Sequence, residues 1–407
     1  MAEQQTTQQE QQKLQKGKSY ITVVGKAKVT DTTFSGEKTS NSSDYFYKRL
    51  NLGIETAEGN IVYGEQMGGN SPSKNYKIKV RTKPVDGKQG ERVEIDWADR
   101  LNESIVESIG DFDVFKVGLI REGDEPAEGA EDKRKLVVKK FLSSYDAHDY
   151  IQQHLKDGMM IMAKGKYVFR KNQEDDKKVF QIKDIFLSKS EEGFANFVQT
   201  VVIDSDSISK DAVKASKETG EIVISAMAVD YVSKINNKPV GKNMTFNLPI
   251  TVRINKENPE ITATILDKLF KVKKGKVREI TIEGQIFEGF EQQQVSKKDV
   301  KMSKDVQELI AMGLYSEEEA MEKMTVRGNK VSKLVFTRPF ILKDKDDATK
   351  IKMDFSDDKY VPEDLIVVIP EDEDTSDMGE EIDLNKMAEE KSNDQGDAWL
   401  KGLGLGN

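Results

Sequence analysis

SYITVVGKAKV, at residues 19–29, is the segment from which the fold prediction starts. Its β-branched residues favour an extended strand, and Gly25 interrupts them near the middle. A glycine inside a strand marks a bulge, a bend or the close approach of another backbone. The segment therefore predicts one long strand that bends or bulges at Gly25.

The segment YFYKRLNLGIE, at residues 45–55, alternates between two faces until Gly53. One face has Phe46, Lys48, Leu50, Leu52 and Ile54, and the other has Tyr47, Arg49 and Asn51. A turn at residues 57–60 and a strand at residues 61–63 follow. Together with the first strand, these segments predict a three-stranded meander.

One helix separates these strands from the next pair. Ser144 is the predicted N-cap of a helix over residues 143–156, and Gly158 is predicted to end it. Strands are predicted before the helix at residues 76–83 and 92–97, and after it at residues 159–170 and 178–189.

The second half of the chain repeats this order. EIVISAMAVDYV (221–232) is predicted to correspond to the first strand, and MTFNLPITVRI (244–254) to the second. Asn258 and Pro259 begin a predicted helix that ends at Gly275. Strands at residues 278–288 and 333–343 match the last pair of the first half, with Gly284 at the position of Gly165.

A long bent first strand, with one helix between the third and fourth of five strands, is the order of the OB-fold, a partly open Greek-key barrel. The predicted fold class is mainly β with a few helices, arranged as tandem OB-fold-like Greek-key barrels. The predicted domains are a disordered Gln-rich arm at 1–18, OB-like domains at 19–200 and 201–365, a helical insertion at 304–324 in the second, and an acidic disordered tail with an apolar tip at 366–407.

The acidic balance of the chain comes from this tail. Residues 371–397 contain twelve acids and two bases, whereas residues 1–370 are neutral within a chain of net charge −9. The tip then presents Trp399, Leu400 and Leu403 behind Asp394 and Asp397. This pattern predicts a partner-binding peptide or a polyanion that competes for a basic groove, and a solubilising tail is the alternative.

Several classes of function lack support in the sequence. The chain has no Cys, and its two histidines, His148 and His154, lie six residues apart on nearly opposite faces of one helix, so no metal site is expected. Phosphate-binding, dinucleotide-binding and nucleophile-elbow motifs are missing. We therefore predict a soluble cytoplasmic protein that is not an enzyme, needs no cofactor and does not contact a membrane.

The strand order at residues 19–190 and 221–343, followed by the acidic tail from Glu371, resembles single-stranded DNA-binding proteins of bacteriophage type. This resemblance implies OB-fold bodies, single-stranded DNA as the ligand, and a tail that recruits replication or recombination proteins. For a phage-encoded protein, the compartment would be the host cytoplasm.

Binding of single strands without sequence preference needs cations for phosphates and aromatic faces for bases. Two segments offer both types of residue. The first contains Tyr45, Tyr47, Lys48 and Arg49, and the second contains Tyr76, Lys77, Lys79, Arg81 and Lys83. In each case an ordinary solvated sheet face is the alternative.

Two further segments are weaker candidates. The first contains Tyr167, Arg170 and Lys171, and Phe169 beside them is predicted to lie in the core. The second contains Lys271, Lys273, Lys274, Lys276 and Arg278, whose charges could instead compensate the end of a helix. Phe287 and Phe290 could stack bases or fill the barrel mouth, and Trp97 is predicted to be a core residue.

The sequence thus predicts a single-stranded DNA-binding protein that acts in phage DNA replication or recombination. It would bind by phosphate neutralisation and base stacking, with the tail regulating binding or recruiting partners. The competing prediction is a non-enzymatic, β-rich virion or assembly protein that binds other subunits.

Overall fold

The structure is a computed structural model of the 407-residue chain. It describes residues 14–41, 43–85, 90–123, 134–171, 176–235, 238–292, 304–312, 327–343 and 350–366. Most of the predicted tail, residues 313–324 of the predicted helical insertion and most of the predicted N-terminal arm lie outside these residues.

The first half of the chain forms strands around one long helix. In chain order its elements are β1 (Ser19–Lys28), β2 (Lys38–Thr39), β3 (Phe46–Ala57), β4 (Asn60–Asn70), β5 (Lys77–Arg81), β6 (Arg92–Asp96), α1 (Glu103–Ser108), β7 (Phe115–Arg121), β8 (Leu136–Phe141), α2 (Ser144–His154), β9 (Met160–Lys171) and β10 (Asp176–Leu187).

Five of these strands close into a barrel, which we call barrel 1. β1 pairs antiparallel with β3, β3 with β4, β10 with β9, and β9 with β1, while β4 and β10 are parallel. The helix α2 connects the third strand of this circuit to the fourth. This is the OB-fold order, and it confirms both the predicted fold class and the predicted meander of β1, β3 and β4.

An insertion between β4 and α2 has a small core of its own. Among the described residues, β5 and β6 pair only with each other, and Ile78 and Val80 pack against Val106, Ile109 and Val114. β7 joins barrel 1 by pairing in parallel with β10. The strands predicted at residues 76–83 and 92–97 therefore exist as a hairpin outside the barrel.

In addition to a short π-helical segment, Leu266–Phe270, the described residues of the second half of the chain form further strands and α-helices. In chain order these elements are β11 (Phe194–Ile203), α3 (Lys210–Thr219), β12 (Glu221–Ile224), β13 (Met227–Ile235), β14 (Lys238–Asn247), β15 (Ile250–Arg253), α4 (Pro259–Ile265), β16 (Arg278–Gln292), α5 (Lys304–Ala311), β17 (Arg327–Pro339), β18 (Ile341–Lys343), β19 (Ile351–Met353) and β20 (Phe355–Ser356).

A second closed circuit, barrel 2, corrects the predicted correspondence of strands. β12 and β13 together make one strand of this circuit, since β13 pairs with β11 and β12 pairs with β15. β15 is parallel to β17, β17 pairs with β16, and β16 pairs with β11, which closes the circuit. The first strand of barrel 2 is therefore β11, which was not predicted from the sequence. Glu221–Val232 forms the second strand of the barrel and Met244–Ile254 its third, so both predicted correspondences are wrong by one strand.

The predicted equivalence of Gly165 and Gly284 holds in three dimensions. Gly165 in β9 lies opposite Ile182, and Gly284 in β16 lies opposite Phe336. At each position an added Cβ would meet a backbone carbonyl oxygen of the next strand, Gln181 or Val335. Both barrels therefore need a glycine where the fourth strand approaches the fifth.

The two barrels share one sheet through their first strands. β1 and β11 pair antiparallel, from Ser19 opposite Gln199 to Val24 opposite Phe194. From Lys26 onward β1 pairs with β3 instead. The change of neighbour falls at Gly25, where an added Cβ would meet the carbonyl oxygen of Glu55. The predicted irregular position in the strand is therefore a close approach of two backbones.

The ends of the described chain lie together on barrel 2. Leu14 packs with Val229, Tyr360 and Leu365, and the backbone N–H of Gln15 donates to the Tyr360 hydroxyl at 3.1 Å. Residues 14–18 are thus ordered against the barrel, although disorder is predicted through residue 18. The predicted domain boundary after residue 200 falls inside β11 and stays a prediction.

The predicted start of α2 is wrong by one residue, whereas the helix predicted to begin at Lys304 is confirmed. The N-cap of α2 is Ser143, whose side chain accepts from the N–H of Tyr145, and not the predicted Ser144. The helix predicted at Lys304 is present as α5. Within the described ranges, no helix is both long and apolar enough to cross a membrane.

Candidate nucleic-acid interface

The outer surface of β3 and β4 is the best candidate for a binding face, and we call it the barrel 1 face. It consists of Tyr47, Arg49 and Asn51 on β3 and Tyr63, Glu65 and Met67 on β4. These residues alternate with Leu50, Leu52 and Val62, which lie in the core. Cross-strand pairing places Arg49 opposite Met67, Asn51 opposite Glu65 and Gly53 opposite Tyr63.

Three of the predicted tyrosines lie together at one end of this face. The rings of Tyr45 and Tyr47 stack with centroids 5.8 Å apart and planes 15° from parallel. Burial raises the pKa of Tyr45, and the neighbouring Tyr76 and Tyr47 hydroxyls raise it further. Tyr76 is 56% exposed. The structure therefore brings two segments of sequence into one group, the tyrosine cluster of Tyr45, Tyr47 and Tyr76.

Asp44 fixes the backbone that positions Tyr76. Its carboxylate accepts from the Ser71 hydroxyl and from the N–H of Ser73, and these two bonds lower the pKa of Asp44. They hold the short 3₁₀ turn Pro72–Lys74, after which Asn75 has a left-handed φ of 44°. Asp44 is therefore a positioning residue that ties the start of β5 to the start of β3.

Two arginines on the barrel 1 face share one carboxylate. Glu65, with a side chain 11% exposed, accepts from Arg49 at 2.9 Å and from Arg170 at 2.5 Å. The two guanidinium side chains remain 35% and 44% exposed. One acid thus orients two cations whose remaining donors can reach solvent or a phosphate.

Lys48, another predicted site residue, lies on the opposite side of β3. Its ammonium contacts the Asp149 carboxylate of α2 at 2.6 Å and lies 4.2 Å from the ring centroid of Tyr145. Phe46 and Trp97 pack in the same aromatic group around Tyr145. Lys48 is therefore removed from the candidate interface, because α2 covers the face to which it belongs.

The third predicted segment divides between two surfaces. Arg170 points to the barrel 1 face, but Tyr167 is 2% exposed and cannot stack a base there. Lys171 pairs with Asp176 at 2.7 Å and lies over the ring of Phe246 in barrel 2. Phe169 stacks on Phe246 with centroids 5.3 Å apart, so it is a core residue as predicted and belongs to the contact between barrels.

The β5–β6 hairpin extends the candidate surface beyond the barrel. Lys77, Lys79 and Arg81 lie outward, because Ile78 and Val80 fill the small core of the insertion. Lys77 and Lys79 pair with Asp96 and Glu94 across the hairpin, each at 3.4 Å. Exposed pairs of this kind contribute only about 0–1 kcal/mol, so both lysines can exchange partners. Lys83 lies beyond the strand and pairs with Glu107 at 3.6 Å.

The predicted basic cluster of barrel 2 is largely neutralised by its own neighbours. Arg278 binds Asp357 through two hydrogen bonds and also donates to the carbonyls of Lys268 and Leu269 at the end of a helical segment. Lys271 pairs with Asp267, and Lys276 pairs with Asp358. Lys273 and Lys274 are exposed. Arg278 is therefore a structural residue, in keeping with the helix-end interpretation of this cluster.

Barrel 2 does not repeat the chemistry of the barrel 1 face. In barrel 1, Phe180 of β10 pairs with Gly64 of β4, and Gly64 pairs with Leu52 of β3, which is three residues after Arg49. In barrel 2, Leu334 of β17 pairs with Ile250 of β15, and Ile250 pairs with Ile224 of β12, which is three residues after Glu221. Glu221 therefore occupies the position that Arg49 has in barrel 1. The same register places Val223 where barrel 1 has Asn51. Glu221 pairs with Lys333 at 2.8 Å. Arg253 lies opposite Glu221 and pairs with it at 3.7 Å, so this face also has two cations around one acid, but the acid occupies the position that an arginine has in barrel 1.

Other residues considered in the sequence have no clear place at the interface. Phe287 is partly exposed on β16, and the side chain of Phe290 lies outside the described residues. His148 is buried beside Phe34, and His154 packs on Tyr150. In the part of the chain that the structure describes, no group of three or more His, Asp or Glu side chains could hold a metal ion.

The strands β9 and β10 place two further cations, Lys166 and Lys183, on the side of barrel 1 that contains the barrel 1 face. These two lysines were not predicted as site residues from the sequence. Gln181 pairs with both Glu65 and Lys166, and Lys183 follows Gln181 at a bulge. Burial lowers the pKa of Lys166, and the charges of Lys16 and Lys183 lower it further. Lys183 has no aromatic residue next to it in the sequence, and Lys166, which directly precedes Tyr167, was not included in the third predicted segment.

Comparison with known proteins adds little to this geometry. No protein-family model and no curated protein matches the chain. Two solved structures of the single-stranded DNA-binding protein from Thermus aquaticus are similar to it, the wild type and a deletion mutant. They share 10% and 9% identity with TM-scores of 0.29 and 0.26; the matches cover 67% of this chain and 87% and 88% of those chains, respectively.

Proposed function

We propose that the chain binds single-stranded DNA on the barrel 1 face. The observation on which this proposal depends is the joint placement of the tyrosine cluster and two arginines on one open surface. Stacked rings and exposed guanidinium groups are the two components that single-strand binding requires.

The mechanism follows from the chemistry of these groups. Arg49 and Arg170 neutralise phosphates, while bases stack on Tyr47 and Tyr76. Every base has a π face, so stacking tolerates all four bases and gives little sequence preference. A duplex keeps its bases stacked inside the helix and offers only phosphates to this surface, so single strands bind more tightly.

The biological setting is part of the same proposal. We place the protein in DNA replication or recombination, with a phage as the source and the host cytoplasm as the compartment. The acidic tail, with Asp394, Asp397, Trp399, Leu400 and Leu403, would compete with DNA for basic surface or recruit replication and recombination proteins. These assignments rest on the order of strands predicted from the sequence and on the negative charge of the tail.

The proposal is tested by fluorescence titration of the full chain with single-stranded and double-stranded oligonucleotides at several salt concentrations. Single strands should bind more tightly, and log K should fall with log salt by about 0.7 for each phosphate neutralised. Tyr47→Ala should weaken binding by about 1–3 kcal/mol.

The matched control is Tyr231→Ala, because Tyr231 is 57% exposed but lies on β13 of barrel 2. It should bind like the wild type. Equal affinity for single strands and duplexes, or equal losses for the two tyrosine variants, would contradict the proposal.

A further inference from the structure

Phe112 is an exposed aromatic side chain without an assigned role. It is 88% exposed, in a turn between α1 and β7. The turn is nevertheless well fixed. The Asp113 carboxylate accepts from the N–H of Arg81 at 2.7 Å, and the N–H of Gly110 donates to the carbonyl of Arg81 at 2.8 Å. The ring is therefore displayed from a backbone tied to the end of β5.

A group of cations surrounds this turn. The Lys183 ammonium donates to the carbonyls of Phe112 and Asp111 and lies 5.9 Å from the ring centroid of Phe112. Lys116 and Lys140 both approach the Asp111 carboxylate, at 3.6 and 3.7 Å. A solvent-exposed ring among several ammonium groups is the combination that a stacked base and its phosphates require.

The strand β5 connects this turn to the tyrosine cluster. Tyr76 immediately precedes β5, and Arg81 ends it beside the Phe112 turn. At about 3.3 Å per residue, Tyr76 and Arg81 are roughly 17 Å apart along the strand. The outward residues between them are Lys77 and Lys79.

The Phe112 end of this strand has two neighbouring arginines in addition to the acids Asp111 and Asp113 of the turn. Arg81 lies directly opposite Arg92 in the hairpin. Like charges at such a pair destabilise a sheet. Among the described residues, neither arginine forms an ion pair. This arrangement is unfavourable for the free protein and becomes favourable when a phosphate lies between the two side chains.

We propose that the bound single strand continues from the tyrosine cluster along the outer face of β5 to Phe112, which stacks a further base. This inference rests on the proposed function and extends its site by one aromatic platform. The lysines and arginines of the hairpin neutralise the phosphates between the two platforms.

The test measures affinity against oligonucleotide length for the full chain, with oligothymidylates of about 4, 8 and 16 nucleotides, the range of site sizes for one OB fold. Phe112→Leu keeps an apolar side chain of similar size but removes the π face. It should lose about 5- to 150-fold in affinity for the longest oligonucleotide, the equivalent of one stacked base, and nothing for the shortest.

Two controls separate base stacking from a general effect of exposed apolar surface. Phe112→Tyr keeps an aromatic ring and should bind all lengths like the wild type. Leu101→Ala removes another exposed apolar side chain of the same insertion, 59% exposed, and should change no affinity.

The outcomes distinguish this inference from the proposed function. If Tyr47→Ala weakens binding of the shortest oligonucleotide while Phe112→Leu matches the wild type at every length, the inference is wrong and the proposed function stands. Equal losses at all lengths for Phe112→Leu would also overturn it. If the wild type binds no single strand, both fail.

Discussion

Glu65→Gln is expected to lower stability and raise affinity for single strands at the same time. The Glu65 carboxylate accepts from Arg49 at 2.9 Å and from Arg170 at 2.5 Å while almost buried. Glutamine keeps one oxygen acceptor, so about one charge-assisted hydrogen bond is lost. Such a bond contributes about 1.5–3 kcal/mol, and we expect the free energy of unfolding to fall by that amount.

The gain in affinity has an electrostatic origin. The face loses one negative charge, and a unit charge 4 Å from a phosphate interacts with it by about 1 kcal/mol in water. Affinity should therefore rise by about fivefold at low salt. The slope of log K against log salt should steepen by up to about 0.7, because one more phosphate can be neutralised.

The assay pairs urea unfolding with oligonucleotide titration at low and high salt. Glu283→Gln is the matched control, since Glu283 pairs with Arg338 at 2.6 Å on barrel 2. It removes the same charge and should leave the salt slope unchanged. A loss of affinity for Glu65→Gln at low salt, in proportion to its lost stability, would refute the reasoning.

Three further predictions concern the scaffold. Arg278→Ala should lower the free energy of unfolding by about 1.5–3 kcal/mol, because Asp357 and two helix carbonyls lose their hydrogen-bond donor. The slope of log K against log salt should stay unchanged, and a flatter slope would show that Arg278 contacts the DNA. Gly165→Ala should cost about 1–3 kcal/mol or more in thermal unfolding, since its Cβ meets the Gln181 carbonyl, and wild-type stability would refute this account of the glycine. Burial lowers the pKa of His148 below 6.5, so the unfolded chain binds more protons and stability should decrease as pH falls below 6.5; His148→Gln should flatten that dependence in urea unfolding, and an unchanged slope would contradict it.

The elements that could be predicted from the sequence are those with one face toward the core. β3 alternates clearly around Asn51, because Leu50, Leu52 and Ile54 are fully buried while Asn51 is exposed. β11 lies between β1 and β16 and is buried continuously over residues 199–203, where Gln199 and Thr200 are polar and Val201 to Ile203 are apolar. A strand of that kind gives no alternating signal, so the second barrel was counted from the wrong strand.

The candidate site was predictable only where local alternation decides exposure. Tyr47 and Arg49 lie outward as the pattern of β3 indicates. Lys48 and Tyr167 were included in the predicted site although alternation places them on the core-facing sides of β3 and β9, with Leu50 and Phe169 respectively. The partner of Lys48, Asp149 of α2, lies 101 residues away in sequence and could not be predicted from the strand alone. The same limit applies to Phe112, whose cation neighbour Lys183 lies 71 residues away in sequence.

The most direct test of the central claim is photochemical cross-linking of a single-stranded oligonucleotide to the full chain, with the linked peptides identified by mass spectrometry. The account predicts links within residues 45–49 and 76–81, which contain the tyrosine cluster and the start of the hairpin. Links confined to residues 221–253, on the corresponding face of barrel 2, would contradict it.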